Sequence, residues 1–236
     1  MSPVGIVCGS STQVGGVLLE RLRAEGVELI VIDPLGAPPV AATTQFFIDI
    51  TNESAWADVA QSLRSRGIAP TLLAYTLYDP GTPTELHHLD AALWDRHMDY
   101  HLRGAYLATR VLLPLMAAPG AIVLLASAVA GWDSRADLVA LGASSGGALA
   151  LTQALALAAA PLGVRVNVVC APPPPVVGAS PPQMLKRIPL GRLTTPVDIV
   201  DALIFLLSDD AFHVTGTSLL VDGGQSLQSW SNAPEG

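Results

Sequence analysis

The feature that most constrains this chain is a repeated alternation. A short, unbroken apolar run is followed by a segment with helical spacing, and then by another apolar run. Val4 to Cys8 is the first such run, and it stops at Gly9. Runs of this length without polar alternation suit strands buried on both faces. The same pattern predicts strands at Glu28 to Ile32, Phe46 to Ile50, Thr71 to Ala74, Ala121 to Ala126, Val164 to Cys170 and Ser218 to Val221. Helical spacing predicts helices at Gln13 to Glu25, Glu53 to Arg66, Leu89 to Met116 (bent or terminated near Pro114), Asp137 to Ala160 and Pro196 to Ser208. Strands that alternate with helices require an α/β fold with a parallel sheet covered on both faces. No composition break is long enough for a linker, and no segment repeats. Residues 1–236 are therefore expected to form a single domain. Pro172 to Pro175 reads as a local stiff segment.

Composition excludes several function classes. Half of the residues are hydrophobic and 14% are charged, which rules out a solvating, disordered chain. A net charge of -8 and a pI near 4.9 argue against a phosphate-backbone partner, so no nucleic-acid binding is expected. No apolar run is read as reaching the roughly 18 residues of a membrane span. The start, Met1-Ser2-Pro3, runs into a strand with no basic region before it. Cys8 and Cys170 each lie in an apolar run, as buried thiols of a reducing compartment do. The expectation is a soluble, cytoplasmic protein without a membrane partner.

Several segments resemble the short-chain dehydrogenase/reductase (SDR) family, across almost the whole chain. They are Ile188-Pro189-Leu190-Gly191-Arg192-Leu193 with Pro196-Val197-Asp198-Ile199, Phe205-Leu206-Leu207-Ser208-Asp209, Val214-Thr215-Gly216, Val221-Asp222-Gly223-Gly224, and Gly163-Val164-Arg165-Val166-Asn167. The resemblance implies a Rossmann-type, doubly wound, mainly parallel seven-stranded sheet with helices on both faces. It also implies NAD-dependent alcohol oxidation and assembly as dimers or tetramers. Fold alone does not deliver function, so the site is read residue by residue.

A dinucleotide site needs a tight turn after the first strand, with backbone N–H groups approaching the pyrophosphate. The family pattern is Gly-x-x-x-Gly-x-Gly. This chain has Gly9-Ser10-Ser11-Thr12-Gln13-Val14-Gly15, so Gln13 replaces the middle glycine. Asp33 ends the second strand, where an acid accepts hydrogen bonds from the adenosine ribose and disfavours a 2′-phosphate. Asp49, before Ile50, resembles the family's acidic residue near the adenine. The candidate cofactor residues are thus Gly9, Gly15, Asp33 and Asp49. They leave room for weak NAD binding, while the expected state of this subunit is without cofactor. Where the family has Asn-Asn-Ala-Gly, this chain has Ala74-Tyr75-Thr76-Leu77, and the Tyr75 ring either fills part of the adenine pocket or packs nearby.

The family's chemistry uses a Tyr, a Lys four residues later, a Ser and an Asn. Here the Tyr position falls on Leu141, the Lys position on Ser145, the Ser position on Ala128 and the Asn position on His101. The conclusion does not depend on alignment. The chain has one lysine, Lys186, and the residue four before it is Pro182. No Tyr-x-x-x-Lys exists, and no catalytic residue of the family type is expected. After the sixth strand, Ala171 and four prolines replace Pro-Gly and its Thr, and the segment to Ile188 is short for a closing lid.

Other chemistry has little support. His97 and His101, with Asp99 between them, supply half a metal site and no third ligand, so no metal is expected. His87 and His88 read as solvated loop. Cys8 lies near a helix N-terminus, which lowers a thiol pKa where the thiol is exposed. A Ser-His-Asp hydrolase lacks its strand–helix elbow. The leading reading is a non-catalytic subunit that assembles with an active SDR paralogue, as a hetero-oligomer and expected tetramer. By its pattern of loss it resembles the inactive subunit of heteromeric SDR alcohol dehydrogenases such as those acting on a CoA-bound benzylsuccinate derivative. The alternatives are an atypical oxidoreductase or lyase rebuilt around His101 or Ser127, and a module that senses NAD or another ligand without turnover. The small-residue helix from Asp137 to Ala160, with Gly142, Gly146 and Gly147, suits close approach of a partner helix.

Overall fold

In the computed structural model, which describes residues 3–173 and 185–227, seven strands form one sheet in the order β3-β2-β1-β4-β5-β6-β7. The strands are β1 (Val4–Cys8), β2 (Glu28–Pro34), β3 (Thr44–Ile48), β4 (Leu72–Tyr75), β5 (Gly120–Ser127), β6 (Val164–Ala171) and β7 (Ser218–Leu220). Every pairing is parallel, so the mainly parallel expectation becomes an all-parallel sheet. The central strands are buried along their length; all eight residues of β5 are. That is why they read as unbroken apolar runs.

Two apolar cores flank the sheet. One contains Trp56, Leu63, Leu112, Ala148 and Ala156, from helices α2 (Glu53–Ser65), α4 (Gly104–Leu112) and α5 (Val139–Ala159). The other contains Leu18, Leu22, Leu203 and Leu206, from α1 (Gln13–Ala24) and α6 (Pro196–Leu207). The sheet is thereby covered on both faces, as a doubly wound fold requires.

The C-terminal segments that carry the family resemblance are structural. Arg192 grips Asp198 with two bonds of 2.6 Å, and Thr195 and Asp198 form a capping box at the start of α6. Asn167 is fully buried; its amide donates to the Val214 carbonyl at 2.9 Å and accepts from Thr217 N–H at 3.1 Å. Asp222 accepts from the N–H groups of Gly224 and Ser226, closing a turn in which Gly223 and Gly224 both have positive φ.

Three expectations need correction. The third strand lies two residues earlier than predicted, because Asp49 and Asn52 fold the chain into the start of α2. The helix predicted from Leu89 to Met116 is divided. It runs as α3 (Ala91–Met98), a π-helical turn at Asp99–Arg103, and α4. A π turn frees a carbonyl from the α-helical ladder, and here the Tyr75 hydroxyl donates to the Tyr100 carbonyl at 2.7 Å. Gly104 makes room: a Cβ there would lie 2.1 Å from that hydroxyl. Finally, one stretch, Val139–Leu162, is long and apolar enough by composition to span a membrane. It packs Ala140, Leu141, Ser144, Ala148 and Thr152 inward, yet only 28% of its most apolar window is buried within the chain.

Candidate functional site

The carboxyl ends of β1, β2, β4 and β5 bring together Gly9, Gly15 and Asp33, and beside them the four positions that would carry catalysis. The turn after β1 is closed on itself. Gly9 has φ +96°, and a Cβ on it would lie 2.7 Å from the Leu77 nitrogen. A Cβ on Gly15 would lie 2.0 Å from the Gly9 carbonyl oxygen. Both glycines are required by backbone contacts within the chain. Thr12 caps α1 by accepting the Gly15 N–H at 2.9 Å, so one donor of the helix N-terminus is already satisfied. Gln13 is the exposed first residue of α1.

Asp33 is fully buried. Its Oδ2 accepts from Ser10 Oγ at 2.6 Å and from Gln45 Nε2 at 3.0 Å, and its Oδ1 from Ser11 N–H at 3.5 Å. Asp49 is exposed and accepts from the Thr51 N–H and hydroxyl at 2.9 and 2.7 Å, which hold its carboxyl below the usual range. These bonds serve the turn into α2, and none of them joins Asp49 to the Gly9 turn or to Asp33. Tyr75 is buried beneath the π turn, which settles its role as packing.

At the catalytic positions every group is committed elsewhere. His101 is buried, and its Nε2 accepts the Asp79 N–H at 2.8 Å. Its Nδ1 therefore carries the proton and meets Ser144 Oγ at 2.9 Å, and Ser144 in turn donates to the Leu141 carbonyl at 3.2 Å. Burial, with His97 adding to it and Asp79 opposing, holds the His101 imidazole down to about 4. It is a neutral ring with no free lone pair, unsuited to general acid–base work at neutral pH. Ser145 is buried and accepts the Ser127 N–H at 3.2 Å. Ser127 is also fully buried, and its hydroxyl caps the Val129 N–H at 3.3 Å.

Tyr78 fills the space between these groups. Its ring stacks on His101 at 5.3 Å and packs with Val129, Leu138 and Leu141. Its hydroxyl is buried beside Ser127 without a completed hydrogen bond, and burial raises its pKa. Tyr78 lies outside the family's motif positions, and nothing local in the sequence couples it to His101. A cavity of about 660 Å³ opens instead at the opposite, amino end of the strands, lined by Pro3, Val27, Leu72, Ala121, Val164 and Arg165 among others. That is the wrong end for a ligand of a doubly wound sheet.

The remaining candidates are also placed. His97 and His101 lie 5.3 Å apart, but both His101 nitrogens are engaged, so the pair cannot ligate a metal together. His87 and His88 are exposed as expected, and they meet Glu85 in a surface cluster. Cys8 is buried, as its apolar run implied, and burial, reinforced by Asp33, pushes its thiol up, so proximity to the helix N-terminus does not lower it. Burial likewise pushes the Cys170 thiol up to about 12. The proline run beyond Pro173, and the lid segment as far as residue 184, lie outside the described residues.

Comparison with known proteins now bears on this arrangement. The family model described as enoyl-(acyl carrier protein) reductase matches residues 20–226. A cis-4-hydroxycyclohexanecarboxylate dehydrogenase of Sinomonas cyclohexanicum is 30% identical over 94% of this chain and 95% of its own length. The chain belongs to the short-chain dehydrogenase/reductase family of oxidoreductases. A second SDR relative, 33% identical over 75% of this chain and 83% of its own length, is the inactive 2-(S)-hydroxypropyl-CoM dehydrogenase 2 of Xanthobacter autotrophicus. Among solved SDR structures, the 3-ketoacyl-(acyl-carrier-protein) reductase of Brucella melitensis complexed with NADH superposes with a TM-score of 0.79. It is 28% identical, and the match covers 95% of this chain and 98% of that one. Set against the family's dinucleotide, the residues here do not fit. The carboxylate at the ribose position is buried and its Oδ2 is taken by Ser10 and Gln45, Tyr78 stacks on His101 at the reactive end, and Ser145 stands where the cofactor-holding lysine belongs.

Proposed function

We propose that this chain is a non-catalytic SDR subunit that assembles with, and supports, an active NAD-dependent SDR alcohol dehydrogenase. The observation that carries the reading is the fate of the four catalytic positions. Leu141, Ser145, Ala128 and His101 stand at the four positions; His101 bonds Ser144, Ser145 accepts the Ser127 N–H, and Leu141 packs with Tyr78. Among the described residues, these four positions offer no group to take the proton of an alcohol and none to hold a nicotinamide ribose. The reading is supported by the similarity to an SDR relative that is itself named inactive. It is supported further by the outward face of α5. Leu157 is 80% exposed there, among Ala143, Ala150, Ala154 and Ala158, a surface that a second subunit would remove from water. Cytoplasmic residence is part of the proposal and suits two buried, unpaired cysteines.

The test is co-expression with the neighbouring reading frames, followed by native mass measurement and an alcohol oxidation assay. The expected result is a hetero-oligomer, a tetramer by preference, whose activity resides in a subunit carrying Tyr-x-x-x-Lys. Leu157→Asp should weaken that assembly. Turnover by the isolated chain, or a homo-oligomer equally stable alone, refutes the proposal.

A further inference from the structure

Asp33 has kept the position of a ribose acceptor, yet the chain itself supplies what a ribose would. Gln45, the second residue of β3, lies beside it. One Gln45 amide hydrogen goes to Asp33 Oδ2 at 3.0 Å, and the amide also contacts the Pro38 carbonyl at 3.4 Å. The amide oxygen accepts the Val40 N–H at 2.9 Å. The connection between β2 and β3 is thus drawn over the carboxylate by one side chain. Further bonds hold that connection: Leu35 N–H to the Ile48 carbonyl at 3.1 Å, Thr43 N–H to the Leu29 carbonyl at 2.9 Å, and Arg23 to the Ala41 carbonyl.

We infer that Gln45 decides whether this chain admits an adenosine ribose, by occupying the hydrogen-bonding place of the ribose hydroxyls on Asp33. A buried carboxylate must have its acceptors filled. Ser10 Oγ and Gln45 Nε2 share Oδ2 while the Ser11 N–H reaches Oδ1 at 3.5 Å, so the neutral donor that a ribose hydroxyl supplies in a cofactor-bound relative is supplied on Oδ2 by a side-chain amide here. A ribose hydroxyl cannot take that place on Oδ2 until the amide leaves. Removing it exposes Asp33 beside the turn of Gly9 and Gly15, where Gln13 stands in place of the family's middle glycine. The inference concerns the adenosine end alone and does not depend on the subunit reading.

The probes are ADP-ribose and AMP, which end before the nicotinamide ring and so do not involve Tyr78. Isothermal titration compares the native chain with Gln45→Ala and with Gln45→Asn. The asparagine keeps an amide but is one methylene too short to reach Asp33. Both variants should bind ADP-ribose at least about tenfold more tightly than the native chain, the worth of roughly one hydrogen bond to a charged group. Adding Asp33→Asn to either should abolish the gain. Circular dichroism establishes that each variant is folded, and if Gln45→Ala fails to fold then Gln45→Asn decides. Equal binding by native and variant chains, whether tight or immeasurable, overturns the inference. The subunit proposal would survive that result, because co-assembly and turnover judge it separately.

Discussion

Replacing His101 by asparagine, the residue type the family uses there, should flatten the acid limb of the stability profile. In the folded chain His101 is held down to about 4 against an ordinary 6.5, mainly by burial. Its native hydrogen bonds require a neutral ring, because Nε2 must accept from Asp79 N–H. Below 6.5 the unfolded chain binds a proton that the folded chain refuses. Stability from this source is therefore complete above pH 6.5 and is lost as pH falls towards 4. At about 1.36 kcal/mol per pH unit, the whole interval is worth roughly 3 kcal/mol. The steepest part, between about pH 6 and pH 5, should cost the native chain about 1 kcal/mol more than the variant. Urea unfolding at a series of pH values measures this directly, through the midpoint at constant slope. His97, whose pKa burial also lowers, acts in the same direction in both proteins and largely cancels in the difference. Parallel profiles for the two proteins would refute the argument, because His101 would then titrate alike in the folded and unfolded chains.

Tyr75→Phe should cost about 1–2 kcal/mol in the same assay, since it leaves the Tyr100 carbonyl of the π turn without its donor. Gly15→Ala should cost more than about 2 kcal/mol or abolish soluble expression, because its Cβ would enter the Gly9 carbonyl; an unchanged melting temperature would count against the closed turn. Installing Leu141→Tyr with Ser145→Lys should produce no alcohol oxidation, and the lysine should lower the melting temperature because position 145 is fully buried. Spectrophotometric detection of NADH formation by that double variant would show that Tyr78 does not close the site.

The fold was largely legible because parallel strands buried on both faces leave unbroken apolar runs such as Val4 to Cys8 and Ala121 to Ala126. Absence of the family's Tyr–Lys pair was legible too, since one lysine in the wrong place excludes it whatever the register. What could not be read were features set by contacts between distant segments. Apolar periodicity runs unchanged through Asp99–Arg103, so the π turn becomes visible only once Tyr75 is known to reach the Tyr100 carbonyl. Gln45 looked like an ordinary polar residue near the start of a strand, and nothing local couples it to Asp33, twelve positions earlier. Asp33 itself was placed correctly and its surroundings were not, because spacing locates a carboxylate without saying what covers it. His101 read as an open candidate because a lone histidine does not disclose that both its nitrogens will be engaged.

The turn after β1 has a consequence for how such chains are recognised at all. Gly9 and Gly15 stay glycine because their own backbone crowds them, at 2.7 and 2.0 Å from where a Cβ would sit. That pressure acts during folding, before any small molecule is present, and it is the same whether or not one is ever bound. A glycine fingerprint of this kind is therefore a fossil of geometry: it dates the scaffold, while the carboxylate beside it, and whatever neutral group lies against that carboxylate, records the present occupation.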